Sequence, residues 1–473
     1  MPALSFLDRD HSVAPPGYSR WLIPPAALAI HLCIGQVYAT SVYKDALVQH
    51  FHTNKTMIGI VFSIAIVMLG ISAAVFGTWV DRVGPRRTMF TAACCWSAGF
   101  LIAALGIATG QLWLVYLGYG VVGGIGLGLG YISPVSTLMK WFPDRPGLAT
   151  GMAIMGFGGG AMVASPLSKE LIGFYGGSAA GGTAVMKLFI TLGVVYFLVM
   201  MMGVFTIRVP APGYAPPGAG PSAARVKTVA AAGNVSAANA IKTPQFWLLW
   251  VVLLCNVTAG IGILEQAADM IQDFFRGDDG LSTVTATVAA GFVGLLSLAN
   301  MAGRLGWSTT SDYIGRRNTY TLYLGGGVLL YLALTTVGSS STALFVVFCA
   351  LIISFYGGGF ATVPAYLRDL FGTFQVGAIH GRLLTAWSTA GVAGPLIVNR
   401  VLDSKKDAVD AAGNAVPLQA GDYRVALLIM VAILAVGFVA NLLIRPVAER
   451  WHETGPVIDA VDAASGADRT KEA

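Results

Sequence analysis

Charge is what this sequence lacks. Only 11% of its 473 residues are Asp, Glu, Lys or Arg, where a soluble domain carries about 25%. A surface so poor in charge cannot face water on all sides. That excludes the two or three soluble domains that the length alone would allow. Cysteine is scarce too. The five present are Cys33, Cys94, Cys95, Cys255 and Cys349, each inside an apolar stretch. They read as small buried hydrophobes, not as disulfide or metal ligands. No Walker motif, metal-ligand cluster or nucleophile constellation occurs, so neither an enzyme activity nor a cofactor is expected. The net charge of +6 is modest and unevenly placed, which reads as membrane topology and not as nucleic-acid binding. A basic leader is missing as well: Asp8, Asp10, Pro15 and Pro16 precede the first apolar run, so that run is expected to stay in the mature chain.

What is present is hydrophobic sequence, 55% of the chain, in runs long enough to cross a bilayer. A crossing helix needs about 20 apolar residues, and in lipid only helices and closed barrels satisfy their own backbone. The runs are continuous, not alternating, which predicts helices at 21–43, 57–80, 88–109, 112–139, 147–172, 186–207, 246–272, 283–309, 319–338, 342–367, 376–400 and 423–445. A segment rich in Pro, Gly and Ala, 208–242, joins the sixth to the seventh; it carries Arg208, Arg225, Lys227 and Lys242 and no acid. This composition predicts a disordered or loosely helical tether. The tails, 1–20 and 446–473, are polar. One set of loops concentrates Arg82, Arg86, Arg87, Lys140, Arg145, the linker cations, Arg316, Arg317, Arg368 and Arg382 against Asp81, Asp144, Asp312 and Asp369. The other set balances Lys44 with Asp45, Arg276 with Asp273, Asp278 and Asp279, and Lys405 and Lys406 with Asp403 and Asp407. The first set is therefore expected in the cytoplasm, with both termini beside it, in the inner (plasma) membrane.

The chain also repeats itself. Asp81 in GTWVDRVGPRR and Asp312 in STTSDYIGRR are 231 positions apart; Pro134 and Pro364, Gly147 and Gly377, and Gly151 and Gly381 are 230 apart; Pro166 and Pro395 are 229 apart. Five pairs in four motifs at nearly one spacing imply two halves of parallel topology, 21–207 and 243–445, with a site between them near the midplane. Two glycine-rich stretches, Gly124–Gly130 and Gly156–Gly160, imitate phosphate-binding loops, but each lies inside an apolar span with no strand before it. Close helix packing is the expected role.

The loop Asp81-Arg82-Val83-Gly84-Pro85-Arg86-Arg87, with its second copy at Asp312, Arg316 and Arg317, resembles the signature between the second and third helices of the major facilitator superfamily. In that family these are conformational-switch loops. Gly130-Tyr-Ile-Ser-Pro134, Lys140-Trp-Phe-Pro-Asp-Arg-Pro-Gly-Leu-Ala-Thr-Gly151, Lys242-Thr-Pro-Gln-Phe-Trp247 and Gly303-Arg304 resemble its oxalate:formate antiporter family more narrowly. The resemblance implies an all-α membrane protein of the major facilitator fold, with 12 transmembrane helices in two pseudo-symmetric six-helix halves. It also implies secondary transport of a small organic anion by alternating access.

An ionisable group within a span costs about 2.5–3.5 kcal/mol or more and is a functional candidate by default. Arg304 lies eight residues before Asp312, about 12 Å along a helix and so near the middle of the bilayer core. Its guanidinium keeps its proton and can grip a carboxylate with two parallel bonds. The bland alternative is an arginine that snorkels to the interface. Asn300, one turn earlier, shares its face and can donate to substrate or hold the arginine. In the resembling family the matching arginine binds substrate carboxylate. There the eleventh helix supplies a second cation where this chain has Trp387. One cation matches one carboxylate, so a monocarboxylate such as lactate, pyruvate or formate is expected over oxalate. The resemblance places Tyr38, Tyr131, Phe157, Tyr356 and Phe360 around the substrate; any one of them, taken singly, can also be mere packing. Gln36 is a further binding candidate. His31, Glu265 and Asp269 are candidates for proton coupling, against a hydrogen-bonded core histidine and a solvated acidic helix end. Symport and exchange both stay open. The expected partners are a small carboxylate, protons as a candidate co-substrate, and lipid; a monomer is the expected unit. A sensor built on a transporter fold is the alternative of another class, disfavoured by the short, low-complexity linker and tail.

Overall fold

The computed structural model describes residues 2–211, 214, 216, 233–277, 281–406 and 417–453. Arg225, Lys227, Asp278, Asp279 and Asp407, most of the linker and most of the C-terminal tail lie outside the described residues, and so do the expectations attached to them. Among the described residues there is no strand, only isolated bridges of Val13 with Val209 and of Arg276 with Ser282.

Among the described residues, eleven helices are long and apolar enough to cross a membrane. The spans in chain order are α1 (Arg20–Ala39), α2 (Lys55–Val83), α3 (Pro85–Ala108), α4 (Leu112–Trp141), α5 (Pro146–Phe174), α6 (Gly182–Thr206), α7 (Pro244–Phe274), α8 (Thr287–Ile314), α9 (Arg316–Ser340) and α10 (Thr342–Phe371). The last of the eleven is α12 (Ala420–Leu443); α11 (376–406) lies before it and is not among them. The expected eleventh span is not one continuous helix. It runs as Val376–Leu383 and Thr385–Lys406, interrupted at Leu384. Likewise the first span does not run unbroken to 43: α1 ends at Ala39 and a separate helix covers Ser41–His50. At the end bearing the basic loops, α2 and α8 reach Val83 and Ile314, past the edges expected from hydropathy. Their last turns are polar, so apolar content fades before the helix does.

Local chemistry starts and stops these helices. The side chains of Asn54, Thr243 and Thr285 accept bonds from the backbone amides of Met57, Phe246 and Val288 at 3.0, 3.3 and 3.3 Å, satisfying donors that a helix start leaves open. Gly84 and Gly315 hold φ of +83° and +84°, a left-handed conformation natural to glycine. Each forms a one-residue turn, from α2 to α3 and from α8 to α9.

Two interfaces join the first six helices to the last six, and small residues build both. A Cβ on Gly151 of α5 would collide with Ser308 Oγ of α8, and one on Gly381 of α11 would collide with the Ala73 carbonyl of α2. A Cβ on Gly77 would stand 2.8 Å from Ala378 Cα. Backbones this close need residues without side chains. The Gly124–Gly130 stretch serves the same end: a Cβ on Gly126 would lie 2.6 Å from the Trp96 amide of α3. The phosphate-loop reading has no support in this packing.

Candidate functional site

Glycines make the room that Arg304 occupies. A Cβ on Gly158 of α5 would lie 2.7 Å from Arg304 Nε, and one on Gly357 of α10 would lie 2.6 Å from Asn300 Oδ1. Between these two helices the Arg304 side chain is 0% exposed, so it does not snorkel. Its Nε donates to Asn300 Oδ1 at 3.0 Å, and Nη1 donates to the Ile154 carbonyl at 3.3 Å. Of the two roles open to Asn300, this geometry shows the holding one. Nη2 is buried with no hydrogen-bond partner. Among the described residues no carboxylate forms an ion pair with it.

Aromatic rings enclose the guanidinium. Its carbon is 5.2 Å from the Phe360 ring centre and 5.7 Å from that of Phe157, close enough for cation–π attraction. Trp387 packs on Phe360 and Phe157 at 4.6 and 5.3 Å, and Tyr131 packs on Phe157 and Trp387 at 5.5 and 5.4 Å. Tyr38 meets Phe157 edge-on at 5.4 Å, and its hydroxyl is 3.3 Å from that of Tyr356. Thus the structure gathers six of the expected aromatic residues, from α1, α4, α5, α10 and α11, around one cation. Within this group the Tyr131 hydroxyl and Trp387 Nε1, like Arg304 Nη2, are buried without a hydrogen-bond partner. A buried polar group left unmatched costs about 1–3 kcal/mol. Two obligate donors and a hydroxyl, left unmatched within one ring cluster, suit this site to an acceptor-rich anion.

His31 also belongs here: its ring meets Tyr131 edge-on at 5.5 Å. Gln36 is placed elsewhere. It donates to the Tyr43 hydroxyl at 3.2 Å and accepts from that of Tyr119 at 3.0 Å, and those two rings pack on Phe189. Glu265 and Asp269 are exposed on α7. Glu265 accepts from Asn399 of α11 at 3.3 Å, while the neighbouring Asp273 is bound to Arg276 and Tyr423 at 2.8 and 2.7 Å. Sequence reading missed His380, a buried histidine of α11 whose ring centre is 5.9 Å from that of Tyr131. The signal was there, an ionisable residue inside an apolar run. Its proximity to Tyr131 is a tertiary fact.

The two repeated loops, 81–87 and 312–317, lie at the end that bears the basic residues. Asp312 accepts from the backbone amides of Gly147 and Leu148, both at 2.9 Å. It thereby caps the start of α5 across the interface between the first and last six helices. Arg316 donates to Asp312 and lies 3.4 Å from Asp369. Asp81 stands likewise against the start of α11, where a Cβ on Gly377 would lie 3.0 Å from its Oδ1. Arg86 is held by the Phe6 and His11 carbonyls at 2.9 and 2.8 Å. Arg317 binds the Leu442 carbonyl at 2.5 Å, and Arg82 and Arg87 are exposed. A cavity of about 270 Å³ opens beside Asp81, Lys140 and Ser136. Asp312→Ala removes two charge-assisted caps, together about 2–3 kcal/mol. Hydrogen exchange at the Gly147 and Leu148 amides should then quicken roughly 30-fold or more; unchanged exchange would mean that Asp312 does not hold this seam closed.

Comparison with known proteins agrees with this architecture. A family model described as Major Facilitator Superfamily matches residues 26–395. The chain is 24% identical over 377 residues to an oxalate:formate antiporter of Oxalobacter formigenes, covering 80% of this chain and 83% of that protein. It is 25% identical over 362 residues to apicoplast pyruvate carrier 1 of Toxoplasma gondii, covering 67% and 65% of the two chains. Among solved structures, a proton:xylose symporter, XylE, superposes with a TM-score of 0.64 at 13% identity, covering 93% of this chain and 98% of that one. The membrane-spanning helices, the repeated basic loops and a family match over most of the sequence lead to one assignment: this chain is a membrane protein that belongs to the Major Facilitator Superfamily.

Proposed function

We propose that this chain is a secondary transporter of a small monocarboxylate of the lactate, pyruvate or formate kind, moved by alternating access with Arg304 as the carboxylate anchor. The observation that carries this reading is the fully buried guanidinium whose Nη2 has no partner and with which no carboxylate among the described residues forms an ion pair. A lone cation in low dielectric is costly, and an anion that takes up its free donor removes that cost. Tyr131 and Trp387 bring two further unmatched donors to the same ring cluster, and the rings exclude water around it. The two halves, 21–207 and 243–445, rock about this centre, joined by the linker 208–242. The seam at Asp312 and Asp81 closes the cytoplasmic side of an inner (plasma) membrane, with both termini inside.

The names of the relatives, an oxalate:formate antiporter and a pyruvate carrier, support an organic anion as substrate. They divide on whether it bears one carboxylate or two. A dianion held by Arg304 alone would leave a net negative charge in the site, at several kcal/mol, which favours the monocarboxylate. Competition tests the choice. In proteoliposomes, excess pyruvate or formate should suppress uptake of labelled L-lactate by about tenfold, and oxalate at the same concentration should do so less than about twofold. Suppression by oxalate equal to that by pyruvate would assign the dianion instead.

A further inference from the structure

We infer that transport is coupled to protons and that His31 is the proton-carrying residue, its Nε2 taking one proton for each carboxylate received by Arg304. This rests on the proposed anion site and adds the ion that moves with the anion.

The hydrogen bond on one side of the ring fixes the chemistry of the other. His31 Nδ1 is 3.1 Å from the Ala27 carbonyl oxygen in the same helix. A carbonyl oxygen can only accept, so Nδ1 carries the hydrogen. In the neutral ring Nε2 is then a bare acceptor. That atom is buried and has no hydrogen-bond partner, and the whole residue is 0% exposed. The tautomer is set by a backbone carbonyl one turn earlier in the same helix. The free lone pair is therefore a standing proton acceptor and cannot be a donor to the anion until it is protonated.

Its surroundings tie that protonation to the anion. The groups that face the ring are Tyr131 of α4, whose ring is 5.5 Å away and whose hydroxyl is unpaired, and Arg304 of α8, the cation that acts on it. The Tyr131 backbone carbonyl also faces the ring, an acceptor for an Nε2 hydrogen once the ring is protonated. His380 of α11 packs on the same Tyr131 ring, at 5.9 Å. From α5 the ring meets glycine: a Cβ on Gly156 would lie 3.0 Å from His31 Cβ. No carboxylate forms an ion pair with His31 among the described residues. Burial is the larger obstacle to a positive charge on His31, and an unneutralised Arg304 adds repulsion to it. With a carboxylate on Arg304, that repulsion is cancelled and the protonated ring is stabilised. Proton and anion thus bind with positive coupling, which is reciprocal by linkage. One anion and one proton cross together, and the step is electroneutral. The proton enters Nε2 from water on the side to which the site opens and leaves from Nε2 to water on the other.

The test uses the full chain reconstituted in proteoliposomes, with labelled L-lactate, pyruvate and formate as probes. In the wild type an imposed inward proton gradient should drive accumulation of at least one probe, and its entry should alkalinise the external medium. His31→Gln should lower the ratio of gradient-driven accumulation to probe-for-probe exchange by about tenfold or more. Tyr131 and Arg304 remain to bind the anion in that variant, so exchange falls far less than accumulation. Wild-type exchange without alkalinisation overturns proton coupling and leaves the anion site standing. Coupling kept in His31→Gln but lost in His380→Gln moves the role to His380 and overturns the assignment of His31. Absence of exchange of every probe by the wild type overturns the anion site on which the inference rests. Should His31→Gln fail to fold, proton uptake by purified wild-type protein on adding lactate, pyruvate or formate decides coupling alone, and no uptake with any of the three overturns it.

Discussion

Arg304→Gln should abolish uptake of the labelled monocarboxylate, by roughly 100-fold or more, while the protein reaches the membrane in normal amount. Removing one partner of a buried, charge-assisted pair costs about 2–5 kcal/mol, and each 1.4 kcal/mol is tenfold. Glutamine keeps a donor but loses the charge and the planar fork. Arg304→Lys should fail nearly as badly. An ammonium cannot bond Asn300 Oδ1 and the Ile154 carbonyl as Nε and Nη1 do and also present a two-pronged face to a carboxylate. Stability should move the other way. In the unliganded protein the guanidinium is buried with an unmatched Nη2, a net cost to folding. The Gln variant should therefore melt in detergent at the wild-type temperature or above it. Near-normal uptake by Arg304→Gln would remove the anchor from the proposed mechanism.

Gly158→Val should also abolish uptake, but with a fall in thermal stability. A Cβ at this position would stand 2.7 Å from Arg304 Nε and 3.0 Å from its Cδ. The guanidinium has no free direction in which to retreat, because Phe157 and Phe360 flank it. Overpacking of this kind costs about 1–3 kcal/mol, and the displaced arginine can no longer meet both Asn300 and the substrate. The next residue supplies a control of matched chemistry. A Cβ on Gly159 would meet Met301 Sδ at 2.6 Å, the flexible end of a thioether that can swing aside. Gly159→Ala should keep most of the transport. If Gly158→Val transports as well as Gly159→Ala, the tight seat of Arg304 is not what places it for substrate. The pair Arg304→Gln and Gly158→Val, equal in transport and opposite in melting temperature, separates loss of the anchor from loss of packing.

Much of this architecture was legible without coordinates. Runs of apolar residues must be helices in lipid, and the repeat of Asp81 at Asp312 and of Gly147 and Gly151 at Gly377 and Gly381 marked the basic loops and seams in both halves. Arg304 stood out because an arginine in mid-span is expensive. The break at Leu384 was not legible, because an interrupted helix and a continuous one have the same hydropathy. Nor was the fate of Gln36. Its register on α1 allowed it to face the site, and only the positions of Tyr43 and Tyr119 show that its amide is already used. Asn300 sat between donor and holder in the sequence, and the 3.0 Å bond to Arg304 Nε shows it holding the arginine.

The sequence by itself determined the solvent, the helical class, the twofold repeat and the identity of the buried cation, since each follows from composition and spacing along one chain. Tertiary structure alone decided which buried polar atoms remain without partners: Arg304 Nη2, Tyr131 Oη, Trp387 Nε1 and His31 Nε2. Satisfaction of a hydrogen bond depends on what other helices bring within about 3 Å, and nothing in a single segment records its neighbours across the fold.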